Sequence, residues 1–311
     1  AVGTFEYAVR QGEVLERLAD YAIARHYPEL TELPAEREGS RYLTFFESVV
    51  EAQASLVAKW MLTGFVHGVM NTDNTTISGQ TIDYGPCAFL DSFDPAAVFS
   101  SIDHGGRYAF GNQPAVLKWN LARFAETLLT LIDSTPNDAI AAVSAVLETF
   151  DERYDSHYAA GMAAKLGLSG TLVDRALVDD LLTLLKHHGA DWTGTFRALA
   201  DELRGNSTPL DGLVPREQIG PWLERWRGAL PKLGRGAAET ADAMDRVNPL
   251  YIPRNHQLDA ALRAATDGEL APFEKLLEVV THPFDRRDEW SDYTTPAPQS
   301  FSKTFQTFCG T

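Results

Sequence analysis

Cysteine is scarce in this chain. Cys87 and Cys309 are the only two in 311 residues, too few for the disulfide framework of a small secreted protein. Basic residues are short as well, 27 Lys and Arg against 43 Asp and Glu, which leaves a formal charge of −16. Such a surplus disfavours non-specific binding to nucleic acid or to an anionic membrane. No segment approaches the roughly 18 consecutive apolar residues of a membrane-spanning helix. The opening Ala1-Val2-Gly3-Thr4-Phe5-Glu6 has the plan of neither a secretory signal nor an Arg-rich presequence. Histidines are scattered, and the adjacent His187 and His188 point in different directions on a helix. There is no H-E-x-x-H and no Cys/His zinc spacing. G-x-S-x-G is also missing, which removes support for an acyl-transfer hydrolase.

What is present is helical periodicity. At 44% hydrophobic the composition is that of an ordinary globular protein, and the length allows a substantial core. Residues 5–26 carry Phe5, Val9, Val14, Leu15, Leu18, Ala22 and Ile23 near helical spacing, and Tyr27-Pro28 ends the run. Ser40 is expected to cap a second helix reaching Leu62, with Phe46, Val49, Val50, Gln53, Leu56, Val57, Trp60 and Met61 inward. Asn112-Gln113-Pro114 reads as an N-cap with proline in the first turn of a third. Beyond it the spacing predicts helices near 137–165, 173–188, 191–203, 215–229, 236–246, 256–266 and 269–280. The tail from Pro283 is polar, with Trp290 and Tyr293 as anchors. Phe301, Phe305 and Phe308 suggest a terminal turn docked on the body, with a disordered tail as the alternative.

Chemistry concentrates between His67 and Gly85. Asp73, Asn74 and Asp83 lie within eleven residues, separated by Thr75-Thr76-Ile77, Ser78-Gly79 and Gln80-Thr81-Ile82. Two β-branched pieces around a glycine turn read as a short β-hairpin. Closing it brings Asn74 and Asp83 side by side, a hard-oxygen pair suited to Mg²⁺, which takes few protein ligands beside phosphate and water. Protein kinases use a similar order, H-R-D-x-x-x-x-N followed by D-F-G. Asn74 stands seven residues after His67, and Asp83-Tyr84-Gly85 takes the place of D-F-G. The kinase base position is Val69, which cannot accept a proton, and Asp73 is the nearest carboxylate that can. His67 itself reads as a buried scaffold residue.

The chain resembles the selenoprotein O family of protein adenylyltransferases, kinase-fold proteins once classed as pseudokinases. The likeness rests on Phe65-Val-His-Gly-Val-Met-Asn-Thr-Asp-Asn74 and Thr81-Ile-Asp-Tyr-Gly-Pro86. It extends to Gly106-Arg-Tyr108, Asn112-Gln-Pro114, Trp119-Asn-Leu121 and Asn248-Pro-Leu-Tyr-Ile-Pro-Arg-Asn-His256. The resemblance implies a mainly α fold: the large lobe of a kinase-like domain over 1–135, with a small catalytic hairpin, and a family-specific helical extension over 136–311. It implies transfer of AMP from ATP to Ser, Thr or Tyr hydroxyls of protein substrates, with Asp73 catalytic, Asn74 and Asp83 holding Mg²⁺ or Mn²⁺, and Asp83 meeting the nucleotide. Family members also carry a redox-active cysteine near the C-terminus. That suggests a regulatory Cys87–Cys309 pair, with two unpaired thiols as the alternative. A cytoplasmic protein is expected, or a mitochondrial one in a eukaryote.

A phosphate-cradling G-x-G-x-x-G and a lysine ahead of the central helix are both missing. The expectation is therefore a C-terminal portion of a longer enzyme, inactive alone. The alternatives are a short metal-binding or interaction module, a non-catalytic scaffold on a kinase fold, or a conventional kinase. Two further features stay open at this level. The irregular run from Pro86 to Arg107 is either a structural loop or a substrate-contacting one. Arg107 is read as a structural ion-pair member, with a phosphate or carboxylate ligand as the alternative, and Arg254 and His256 as fold architecture, with a substrate or loop contact as the alternative.

Overall fold

The run expected as one helix over 5–26 is two, α1 (Val2–Val9) and α2 (Val14–His26). Gly12 between them has φ 63°, a left-handed turn that a helix cannot continue through. The break changes the register, so Val9 and Val14 face solvent, while Phe5, Leu15, Ala22 and Ile23 are buried. The computed structural model describes residues 1–12, 14–32, 38–168, 174–230 and 236–308.

The long apolar run becomes the 26-residue helix α3 (Glu38–Thr63), which starts two residues ahead of the expected cap at Ser40. It leads directly into β1 (Phe65–Val66), which pairs antiparallel with β2 (Ala88–Phe89) in the register Phe65↔Phe89 and Val66↔Ala88. Then come α4 (Gln113–Ile132), α5 (Pro136–Glu148) and α6 (Phe150–Lys165). Here too the single helix expected over 137–165 is interrupted, at Thr149, whose hydroxyl donates to the Val146 carbonyl and caps the end of α5. The order continues with α7 (Arg175–His188), α8 (Trp192–Leu203), the single turn α9 (Thr208–Asp211), α10 (Arg216–Ala229) and α11 (Ala237–Val247). It closes with α12 (Asn255–Thr266), α13 (Ala271–Val280) and the single turn α14 (Gln299–Ser302). The described residues are thus mainly helical with one two-stranded sheet. Among the described residues no helix is long and apolar enough to cross a membrane.

Helix α3 packs along both α4 and α6, so its sides belong to two apolar clusters. One gathers Phe5, Phe45, Phe46, Val50 and Phe124; the other gathers Met61, Trp192, Phe196, Leu199 and Trp226. A helix buried on both flanks cannot shift along its axis without opening cavities, and the loop that follows it inherits that rigidity.

A buried polar joint ties the segment after β2 to the start of α8 and to the tail. Arg254, 1% exposed, forks onto Asp191 at 2.5 and 2.9 Å and reaches Asp91 at 2.8 Å. Its expected architectural role is what the structure shows. The tail is docked as far as it is described: Trp290 is buried against Tyr251 and Val279, with Tyr293 beside it, and Phe305 contacts Phe99.

Candidate active site

The segment from Phe65 to Thr75 is held by side-chain amides. Gln113, buried in the first turn of α4, accepts from the His67 N–H at 2.9 Å and donates to the Phe65 carbonyl at 2.9 Å. It thereby acts as a third strand beside β1. Asn120 stands seven residues, two helical turns, further along the same face. It donates to the Met70 carbonyl at 2.9 Å and to Thr75 Oγ1 at 2.7 Å. Both amides lie in stretches that carry the family resemblance, but the sequence reading assigns neither a role of its own. The available signal was a polar residue in the apolar stripe of a helix, where burial demands a partner.

The hairpin expected over Thr75–Ile82 is reduced to one antiparallel bridge, Thr75↔Thr81. Side chains have replaced the rest of the ladder. Thr76 Oγ1 donates to the Gln80 carbonyl and accepts from the Gln80 N–H; Gln53 from α3 donates to the Thr76 carbonyl, and the Tyr27 hydroxyl to that of Ile77. Trp60 Nε1 adds a bond to Thr81 Oγ1 at 2.8 Å. With backbone groups satisfied from the helices, strand pairing is not needed.

Asp73 and Asn74 occupy a single 3₁₀ turn, Thr72–Asn74, on one side of the bridge, and Asp83 follows two residues after it on the other. Asn74 Nδ2 donates to the Val69 carbonyl at 3.0 Å, so the amide nitrogen is committed and its oxygen is left to accept. Asp83 is solvent-exposed and has φ 58°, the one non-glycine residue with positive φ among those described. A left-handed aspartate is sparsely populated, and such conformations persist where the surroundings impose them. Among the described residues its carboxylate accepts one long hydrogen bond, 3.4 Å from the Gly85 N–H.

His67 supplies part of that imposition. Its Nε2 lies 2.9 Å from the Ile82 carbonyl, so that nitrogen carries the hydrogen. The ring is fully buried, and desolvation holds its pKa below the ordinary value despite the bond to Ile82. It is a neutral strut that fixes the residue before Asp83, as the sequence suggested.

Asp73 is exposed but not isolated. Its carboxylate lies over the first turn of α1, whose Val2 N–H donates to the Thr75 carbonyl at 2.8 Å, and one turn further on Thr72 Oγ1 donates to Glu6 at 2.6 Å. A carboxylate beside a helix N-terminus is favoured by the helix dipole.

Cys87 is half-buried, donates to the Tyr84 carbonyl at 3.1 Å, and has its thiol pushed up to about 11 by burial. Cys309 lies outside the described residues. Thr307 Oγ1 donates to the Pro86 carbonyl at 2.6 Å, so the tail reaches the segment that carries Cys87. Arg107 corrects an expectation: its guanidinium makes no ion pair or hydrogen bond among the described residues, and stacks 4.8 Å from the Trp119 ring instead. Asn112 likewise does not cap α4 through its side chain, which donates to the Gly106 carbonyl at 2.9 Å. Among the described residues no three His, Cys, Asp or Glu cluster as a metal site. A cation here would rely on the amide oxygen and one carboxylate.

Comparison with known proteins gives a consistent result. The family described as protein adenylyltransferase SelO matches residues 1–281. A protein of Rhodococcus jostii named protein nucleotidyltransferase YdiU is 90% identical over 310 residues, covering 100% of this chain and 60% of its own length. Proteins of the same name from Cereibacter sphaeroides and Mycolicibacterium paratuberculosis are 50% and 51% identical, again over 100% of this chain and over 63% and 62% of theirs. The chain spans about 60% of the length of the curated relatives it matches.

Proposed function

Because this chain belongs to the SelO family of protein adenylyltransferases, we propose that the full-length protein transfers AMP from ATP to Ser, Thr or Tyr hydroxyls of other proteins. The acceptor oxygen bonds to the α-phosphorus, the α–β phosphoanhydride breaks, and pyrophosphate leaves with the electron pair. In this reading the helical body is the large lobe of a kinase-like fold over 1–135, extended by 136–311. The phosphate-cradling parts belong to the length of the relatives that this chain does not span.

Asp83 carries the proposal. An exposed aspartate kept in a left-handed conformation, beside a buried neutral histidine that pins the preceding carbonyl, is the kind of local strain that accompanies a ligand-binding role. Its carboxylate and the uncommitted oxygen of Asn74 are hard donors that fit Mg²⁺ or Mn²⁺. When bound, that cation supplies neutralisation of charge on the phosphates. Asp73 takes the proton of the acceptor hydroxyl, the role Val69 cannot fill. A pairing of Cys87 with Cys309 belongs to the same reading, supported by the Thr307–Pro86 bond that draws the tail to this segment.

The test uses the full-length protein with ATP labelled in the α- or the γ-phosphate, beside its Asp83→Ala variant. Label should pass to protein from the α position only and vanish in the variant. Transfer from the γ position would make the protein a conventional kinase, and undiminished α-labelling by the variant would refute the assignment of Asp83.

A further inference from the structure

The chain has a net charge of −16, yet one arginine near the catalytic segment has no carboxylate to answer it. Arg107 is exposed, and among the described residues its guanidinium has no ion-pair or hydrogen-bond partner. It lies 4.8 Å from the centroid of Trp119 and 5.8 Å from that of Tyr108. Arg123 also sits 5.3 Å from the Trp119 centroid, but it is neutralised by Glu126. Trp119, on α4, is 45% exposed, and Ile102, in the loop that carries Arg107, 61%. Arg107, Val116 and Trp119 line a shallow pocket of 260 Å³.

This arrangement is held in place before anything binds. Asp103 accepts from the Arg107 and Tyr108 N–H groups, both at 2.8 Å, and Asn112 donates to the Gly106 carbonyl. The platform is also tied to the catalytic segment, since the Tyr108 hydroxyl donates to Asn71 Oδ1 at 2.6 Å, two residues before Asp73.

We propose that Arg107 and Trp119 form a docking platform for the acceptor protein, taking an acidic side chain of the segment that presents its hydroxyl to Asp73. An unpaired guanidinium matches a carboxylate in forked geometry, and Trp119 offers an apolar face to the flanking residue. Fixing the loop in advance lowers the entropy lost on binding. The Tyr108 hydroxyl bond leaves Arg107 on the order of 10 Å from Asn71, two residues before Asp73. At about 3.3–3.6 Å per extended residue, an acidic residue a few positions from the hydroxyl is within reach, and a separation of three is the one tested. The proposal rests on the transfer reading for its biological meaning, but the surface can be tested without catalysis.

Two fluorescein-labelled peptides, identical except for Glu or Gln three residues from a tyrosine, are titrated with this chain at low salt and read by anisotropy. The overall negative charge works against the Glu peptide, so a preference for it reports a local cation. It should bind about fivefold tighter than the Gln peptide, the scale of one exposed ion pair. Arg107→Gln should erase the difference, Arg107→Lys should restore part of it, and Trp119→Ala should weaken both peptides. Equal binding of the two peptides, or a difference that survives in Arg107→Gln, overturns the proposal. So does loss of inorganic triphosphate binding in Arg107→Gln with peptide binding intact, which would assign the arginine to the nucleotide. Failure of the full-length protein to transfer AMP would leave a charge-selective platform standing, so the two readings fall separately.

Discussion

Gly3 and Asp73, seventy residues apart in sequence, are in contact: a Cβ on Gly3 would fall 1.8 Å from Asp73 Oδ1. The first turn of α1 is therefore part of the seat of the proposed catalytic base. Glycine here is required for space rather than for backbone freedom, since Gly3 lies within an ordinary helix.

Gly3→Ala should displace the Asp73 carboxylate. The clash falls on the end of an exposed side chain that can rotate away, and alanine favours a helix over glycine. Stability should therefore change by no more than about 1 kcal/mol, while turnover of the full-length protein falls by more than any change in ATP binding. Thermal melts and steady-state transfer assays check both. A variant with unaltered turnover would show that Asp73 does not act from this seat.

Gln113→Ala should release the catalytic segment. It leaves the buried His67 N–H and Phe65 carbonyl without partners, which costs about 1–3 kcal/mol for each buried group left unsatisfied. Hydrogen exchange should accelerate at residues 65–67 ahead of global unfolding. Asn120→Ala should do the same at Met70 and Thr75.

Asp83 allows stability and function to be separated. In Asp83→Gly the positive φ becomes unstrained, so urea unfolding should show it about 1 kcal/mol more stable than Asp83→Ala. Both variants should lose metal-dependent transfer alike.

Lys165 gives a pH dependence. Its ammonium is buried against Phe196, bonded to Asn248 Oδ1 at 2.8 Å, and desolvation lowers its pKa to about 7 from 10.5. At pH 8 to 10 the unfolded chain holds this proton and the folded chain does not, so stability rises with pH across about 7 to 10.5. Lys165→Met should flatten that rise, as read from urea midpoints at several pH values. The same slope in the variant would assign it to other groups.

Helices were largely legible in the sequence, because a buried stripe at 3.6-residue spacing is a local signal. The burial of Phe46, Val49, Gln53 and Val57 on α3 followed from it. Less visible were the interruptions at Gly12 and Thr149, where one turn residue or one hydroxyl stops a run that periodicity alone would continue. The expected hairpin survives only as the Thr75↔Thr81 bridge for a related reason: Thr75–Ile82 has strand-like residues, but Gln53, Trp60 and Tyr27, distant in the chain, satisfy its backbone and side chains.

Family membership and the candidate residues Asp73, Asn74 and Asp83 came from the sequence, since motif spacing is a property of the chain itself. Only the tertiary structure decided that Asp73 rests on Gly3, that Gln113 and Asn120 clamp the segment from Phe65 to Thr75, that Asp83 is bent into a left-handed conformation, and that Arg107 has no ion-pair partner among the described residues. Each depends on which distant surfaces meet. That is settled by how the apolar faces of α3, α4 and α6 pack together, and no local pattern records it.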